Sequence, residues 1–570
     1  LHILNSLVGV RTSSRVRRFV DRGLSRYLRI APPTGDYVVH RDVGIPMRDG
    51  AVLLASHFAP TVDTPLGTIL VRGPYGRAFP FSLIYARLYA ARGYHVLLQS
   101  VRGTFGSGGD FVPMIHEADD AADTVAWLRE QPWFTGTFAT IGLSYLGFTQ
   151  WALLSDPPPE LAAAVITVGP HDFYASTWGT GSFSLNDFLS WSDSMAHQAE
   201  PLPRRLAFQR RAARRLEQAK HGLPLGRAGR DLLGARSRWY ESWVEHPDPD
   251  DPFWDTKRMT SALERSDVPV LLISGWQDLF LDQTLLQYRR LRDRGVDVAM
   301  TLGPWAHNDM IIKGGGTAAA QTLDWLGTHL AGLPMKPRRS PVRVHVAHHG
   351  WIDLPDWPPA TGQGRLHLQP AGRLAPAVPP PDAAPSSFRY DPADPTPTVG
   401  GRLLNQQSGY QDDSALAGRT DVLSFTSGPL DADLYVFGSP VVELAHETDI
   451  DHVDLFVRVS EVDARGRSRN VSDGYRRLTA PEHGPVRIKL DAIAHRFPAG
   501  TQIRVLIAGG SHPRFARNLG TGEPALTAQR MVPAVHTVHH GTGGISTLIL
   551  PASAGPPSAD GGADPAGDLV

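Results

Sequence analysis

The sequence predicts an α/β fold, a mostly parallel sheet covered on both faces, followed by an all-β region. Three observations predict it. Apolar runs of strand length, among them GTILVRG (67–73), YHVLLQSV (94–101), VPVLLISG (268–275) and VDVAMTLGP (296–304), alternate with helical segments. Strands buried on both faces read this way. Residues 137–154, TFATIGLSYLGFTQWALL, pass from strand through a sharp turn into helix, with Ser144 at the apex. Beyond about residue 335 the pattern changes to short alternating strands between Gly, Pro and Asp turns, as in a sandwich such as a jelly roll.

Taken in order, residues 1–30 carry a short apolar run followed by arginines. A secretory signal has the reverse order, and the run is too short to span a bilayer. Residues 1–36 are therefore expected to form an amphipathic helical extension packed on the body, with the protein in the cytoplasm. YVVHRDVGIPM and AVLLASHFAP flank Arg48-Asp49-Gly50 and predict a hairpin. FSLIYARLYAARG predicts a helix stopped by Gly93. The glycine-rich RGTFGSGGDF (102–111) lacks the Gly-Lys-Ser/Thr ending of a phosphate cradle and has no helix directly behind it, so it predicts a structural loop. EADDAADTVAWLREQ (117–131) predicts a helix whose acidic first turn suits the helix dipole.

The alternation runs from residue 37 to AAAVITVGP (162–170) and breaks at His171. Residues 171–256 read as helices rich in Trp and Phe, inserted over the carboxyl ends of the strands, where ligands bind in such sheets. The arginines Arg210, Arg211, Arg214 and Arg215 read as a solvated helix face. The sheet resumes at 257 and closes near 335. Residues 336–551, with VRVHVAHH, DHVDLFVRVSEVD and QIRVLIAGG among their strands, predict the all-β domain, and 552–570 a disordered tail.

A chain of 570 residues exceeds one core, so two or three domains are expected. The net charge of −1 offers nothing to attract nucleic acid or an anionic membrane. The absence of cysteine excludes disulfides, thiolate metal sites and a cysteine nucleophile.

A strand-turn-helix with serine at its tip is the context of a nucleophile elbow, in which small residues flank the serine because the turn is tight. Here they are Gly142 and Gly147, a G-x-S-x-x-G spacing one residue longer than the general motif. A serine nucleophile needs a base to take its proton and a carboxylate to orient that base. In an α/β-hydrolase sheet the acid and then the histidine follow on loops after later strands. Asp278 follows VPVLLISG and His307 follows VDVAMTLGP. Separately, Asp278 could be only a helix cap and His307 one loop histidine of 23, but three strand ends in the right order point to a triad. The backbone N–H of Tyr145 is the expected first oxyanion donor. Tyr75, after the strand ending at Gly73, reads either as a hydroxyl donor or as a buried structural tyrosine. His345, His348 and His349, and likewise His536, His539 and His540, have no carboxylate at consistent spacing, so no metal and no cofactor are expected.

The segments Ile45-Pro46-Met47-Arg48-Asp49-Gly50, Arg72-Gly73-Pro74-Tyr75, Gly142-Leu143-Ser144-Tyr145-Leu146-Gly147, Gly275-Trp276-Gln277-Asp278 and Gly303-Pro304-Trp305-Ala306-His307 resemble the cocaine esterase / Xaa-Pro dipeptidyl-peptidase family of serine hydrolases. Tyr390-Asp391-Pro392-Ala393-Asp394-Pro395 and Ser511-His512-Pro513-Arg514-Phe515 extend the resemblance through the second half. It implies an α/β-hydrolase core (37–170 and 257–335) with an inserted helical cap and a C-terminal all-β jelly-roll domain. It implies Ser144 as nucleophile, Asp278 as acid and His307 as base, with the Tyr75 hydroxyl and Tyr145 N–H as the oxyanion hole. Ser100 departs from the family, which usually has Asp before Val-Arg-Gly, and puts a local salt bridge with Arg102 in doubt.

The expected partner is a small-molecule ester or amide; a homodimer is compatible with the sequence. The aromatics Trp178, Phe183, Phe188, Trp191 and Trp276 suit an apolar acyl or aryl pocket, and core packing explains the cap members equally well. A substrate amine would call for carboxylates such as Asp187 or Asp193. The favoured expectation is a carboxylesterase. The alternatives are an Xaa-Pro dipeptidyl-peptidase or α-amino-acid ester hydrolase, an acyltransferase with the same triad, and a non-catalytic carbohydrate-binding protein.

Overall fold

The structure is a computed structural model that describes residues 14–198, 213–334, 338–405 and 407–557. Helix α1 (Ser14–Leu28) lies against the body. Asp21 fastens it, accepting a hydrogen bond from the Tyr37 hydroxyl at 3.0 Å and pairing with Arg87 at 2.9 Å. Residues 1–13, Arg210, Arg211 and the tail from 558 lie outside the described residues, while Arg214 and Arg215 are exposed.

Among the described residues, ten strands build the first sheet: β1 (Tyr37–Pro46), β2 (Val52–Pro60), β3 (Thr68–Gly73), β4 (His95–Ser100), β5 (Phe138–Leu143), β6 (Leu161–Thr167), β7 (Val270–Gln277), β8 (Val298–Ala306), β9 (Val342–Val346) and β10 (Gly350–Leu354). Their order is β1-β2-β4-β3-β5-β6-β7-β8-β9-β10. From β4 to β9 neighbouring strands run parallel. Every residue of β3, β4, β5 and β7 is buried, which is why these strands read as unbroken apolar runs. Helices α2 (Glu117–Arg129), α3 (Tyr145–Leu154), α4 (Leu185–His197), α5 (Leu281–Asp293) and α6 (Gly315–His329) carry the residues used below. The helical insertion, α4 included, lies in the chain between β6 and β7.

The C-terminal domain folds an eleven-stranded sheet and a three-stranded sheet around an aliphatic core that includes Leu366, Leu368, Val457 and Val505. Val342–Val346, within VRVHVAHH, is not a strand of either of these sheets. As β9 the segment pairs in parallel with β8, and β10 returns beside it, so the first sheet extends through Leu354 rather than ending near 335. The alternating burial of β9 is that of any half-covered strand, and pattern alone does not say which sheet it joins.

Ser100 also receives an explanation. Arg102 is held by Asp120 and Asp49, each at 2.6 Å, and the Ser100 hydroxyl instead accepts from Arg77 at 2.7 Å. The pairing of Arg102 therefore does not need an acid at position 100. Among the described residues no helix is long and apolar enough to cross a membrane.

Candidate active site

The turn between β5 and α3 places Ser144 at φ 57° and ψ −122°, a left-handed conformation that costs a non-glycine residue on the order of 1–3 kcal/mol. Two glycines make the turn sterically possible. A Cβ on Gly142 would come within 2.4 Å of the Leu146 Cβ, and one on Gly147 within 2.6 Å of the Gly169 Cα. The second contact accounts for the long motif: the small residue is needed where the new helix crosses the end of β6, at position 147.

His307, after β8, points its Nε2 at the Ser144 hydroxyl at 3.0 Å. Its Nδ1 meets the Asp278 carboxylate at 2.6 Å. Asp278 is fully buried, and its other oxygen accepts the Phe280 N–H at 2.8 Å. The carboxylate thus shapes the turn into α5 and faces the imidazole at once. The ring of Phe280 packs edge-on against His307 and limits its rotation. His171, a histidine after β6, is turned elsewhere: its Nδ1 lies 3.1 Å from the Gln287 amide, and burial lowers its pKa to about 4.

Tyr75 is half-buried, with its hydroxyl beside the Ser144 side chain and the Tyr145 N–H. Burial raises its pKa, so the phenol stays protonated and able to donate. The Trp191 indole N–H donates to the same oxygen at 3.3 Å, leaving the phenol proton free for a partner in the site. Tyr145 is fixed from behind. Its hydroxyl donates to Glu117 at 2.7 Å and accepts from the Met114 N–H at 3.0 Å. Glu117 is paired with the buried Arg72 at 3.4 Å, and Arg72 is anchored on Gln99 at 2.7 Å. The two oxyanion candidates are therefore held by packed, hydrogen-bonded side chains. Replacing Tyr75 by Phe should reduce kcat by about 10²–10³-fold with little change in KM, the usual effect of losing one oxyanion donor. Steady-state kinetics of the variant on a nitrophenyl ester checks this; an unchanged kcat would make Tyr75 structural.

The pocket beside Ser144 and His307 is narrow and mainly apolar. Phe188 and Trp191, one helical turn apart on α4, both line it. Trp178, Phe183 and Trp276 do not. The Trp178 indole donates to the Trp243 carbonyl inside the cap, and Phe183 packs on Trp178 and Tyr240. Trp276 donates to the His345 carbonyl and stacks near Trp357. Aromatic identity is shared by core and lining residues, so only the side each faces separates them. Four lining residues without a recognisable signature are Phe173, Leu279, Phe280 and Leu404, the last supplied by the C-terminal domain. Asp187 also lines the pocket, fully buried, accepting from the Leu404 N–H at 2.8 Å and the Asn186 amide at 2.7 Å. Burial raises its pKa despite these donors. Asp193 is not in the lining; it faces His197 at 3.7 Å.

Residues 49–309 match the X-Pro dipeptidyl-peptidase (S15 family), and residues 336–549 the X-Pro dipeptidyl-peptidase C-terminal non-catalytic domain. The chain is 29% identical over 573 residues to the cocaine esterase of Rhodococcus sp. (strain MB1 Bresler), covering 91% of this chain and 99% of that protein. An aminopeptidase from a marine sediment Thaumarchaeota archaeon shares the fold with a TM-score of 0.77 at 23% identity, over 90% of this chain and 96% of that one. An α-amino acid ester hydrolase superposes with a TM-score of 0.76 at 22% identity, over 92% and 98%.

Proposed function

Because the chain is a serine hydrolase of the X-Pro dipeptidyl-peptidase (S15) family, with that family's catalytic and C-terminal domains in sequence, we propose that it cleaves carboxylic esters or related amides through an acyl-enzyme on Ser144. The observation that carries this reading is the line of contacts from Asp278 through His307 to Ser144, at 2.6 and 3.0 Å. His307 Nε2 takes the hydroxyl proton as Ser144 Oγ attacks the substrate carbonyl, and Asp278 stabilises the imidazolium. The carbonyl oxygen, now an oxyanion, accepts from the Tyr75 hydroxyl and the Tyr145 N–H. His307 then gives the proton to the departing alkoxide or amine. Water follows the same path in reverse: His307 deprotonates it, the acyl carbon is attacked, and Ser144 leaves with the proton.

A second reading, an α-aminoacyl substrate, is favoured by one observation: the Asp187 carboxylate in an otherwise apolar wall. An ammonium group bound there would restore a charge partner to a carboxylate that burial disfavours. In Asp187→Asn, kcat/KM for an alanine nitrophenyl ester relative to nitrophenyl butyrate should fall by about 100-fold, as expected for removing one partner of a desolvated charge pair. An unchanged ratio would make Asp187 a structural acid.

The reaction class is tested by comparing p-nitrophenyl butyrate with a Gly-Pro anilide, using Ser144→Ala as control. Fast ester turnover without anilide cleavage, abolished in the variant, supports the carboxylesterase. Preferential anilide cleavage moves the protein to dipeptidyl-peptidase chemistry, with Asp187 as the amine acceptor. Activity surviving in Ser144→Ala refutes the assigned nucleophile.

A further inference from the structure

Apart from the triad residues, three side chains of metal-ligating type converge at the seam between the two sheets. His348 sits in the turn between β9 and β10, Glu461 on the strand Val453–Val462, and His495 on the strand Ile493–Phe497. His495 Nε2 lies 2.8 Å and His348 Nε2 3.2 Å from the same oxygen, Glu461 Oε2, and the three ligand atoms all lie within 4.8 Å of one another. The two imidazole rings are nearly perpendicular, at 86°. Zinc bound by His and Glu at about 2.0–2.2 Å in a tetrahedron has neighbouring ligand atoms about 3.3 Å apart, so these donors need move only slightly to enclose an ion.

Their surroundings suit such a site. His495 is buried and presents Nε2 to Glu461; an ion there replaces the Nε2 proton, which moves to Nδ1, a ring atom with no acceptor beside it and so a cost that binding must offset. Glu461 turns the same carboxylate oxygen, Oε2, toward both imidazole nitrogens. The set therefore combines two imidazoles with one carboxylate, a donor set zinc takes. His348 is 37% exposed, so an ion can reach the cluster and keep a water in its fourth position. Two cations nearby oppose binding: Arg469, which stacks over the Tyr410 ring at 4.6 Å, and Arg496, which donates to the His348 carbonyl at 3.2 Å and is paired with Asp433 at 3.1 Å. The turn carrying His348 is already docked. The Ala347 N–H donates to the Ala494 carbonyl at 3.1 Å, and the Arg496 N–H returns a bond to the Ala347 carbonyl at 3.2 Å.

We propose that His348, Glu461 and His495 bind one divalent transition-metal ion of the zinc class, which staples the edge of the hydrolase sheet to the C-terminal β domain. Spacing in the sequence does not disclose this site, because its ligands stand at 348, 461 and 495 and come from two sheets.

Full-length protein stripped with chelator is titrated with Zn²⁺ by calorimetry and with Co²⁺ by visible absorption. One ion per chain is expected, with Co²⁺ ligand-field bands and a thermal midpoint that rises with Zn²⁺ concentration. His348→Ala and Glu461→Gln should each weaken binding by about 100-fold or more, above the roughly 10–100-fold that an outer partner of a ligand costs. His348 is partly exposed, and circular dichroism of that variant verifies its fold. His307→Ala should bind zinc as wild type does, which separates this site from the histidine and aspartate at Ser144. No binding in the wild type, or equal binding in His348→Ala, overturns the proposal and leaves a hydrogen-bonded His-Glu-His cluster.

Discussion

Ser144→Ala is expected to lower kcat for ester hydrolysis by about 10⁵–10⁶-fold, and His307→Ala by a similar factor. The two losses should not add. Ser144 Oγ and His307 Nε2 lie 3.0 Å apart and act as one unit, so the double variant should be about as slow as either single one. The residual rate would come from binding and from the Tyr75 and Tyr145 donors, which neither change disturbs. Asp278→Asn should cost less, about 10⁴-fold, because the imidazole keeps a hydrogen-bonding neighbour but loses the charge that stabilises its cation. Single-turnover kinetics on a nitrophenyl ester, with a phosphonate ester to label the nucleophile, measures all four. Additive losses in the double variant, or a phosphonate adduct on another peptide, would remove Ser144 and His307 from the proposed unit.

Acid should unfold both domains well above the usual carboxylate range. Burial lowers the pKa of His57, His512 and His536 to about 3, and of His171 and His446 to about 4. In the unfolded chain these histidines take up protons near pH 6.5. Above that pH they are neutral in both states and contribute no pH dependence. As the pH falls below it the unfolded state binds protons that the folded state refuses, so stability falls until the folded values are reached. Each independent histidine removes about 1.4 kcal/mol per pH unit. His446 and His536 share a hydrogen bond and count as one, so four sites give a slope on the order of 5 kcal/mol per pH unit, a large part of a domain's whole stability. The Asp491 carboxyl, raised to about 6 by burial, acts in the opposite sense below that pH, as do Asp21, Glu117, Asp187, Asp193 and Asp324, which burial also raises, so these carboxyls offset part of the slope. Thermal midpoints should therefore be nearly flat from pH 8 to about 6.5 and drop steeply between about 6 and 5. A flat midpoint down to pH 4.5 would mean that these histidines are not neutral in the fold.

Much of this was readable along the chain because it is local. Continuous apolar strands identify a sheet covered on both faces, and each strand end then fixes where Ser144, Asp278 and His307 must stand. The G-x-S-x-x-G spacing is local too, although its cause, the approach of Gly147 to Gly169, belongs to packing. The walls of the pocket were not readable. Trp178, Phe183, Phe188 and Trp191 look alike in sequence, yet only the last two reach the cavity, because the face a helix residue presents depends on what packs against it.

What the sequence determined by itself is the order of elements, the elbow and the chemical types at the strand ends, since these follow from periodicity and turn sterics over a few residues. Tertiary structure alone decided three things: that β9 extends the hydrolase sheet, that Leu404 and Asp187 meet in one pocket wall, and that His348, Glu461 and His495 share a seam. Each joins segments separated by tens to hundreds of residues. Such meetings are set by how sheets and helices pack, a property no local pattern carries.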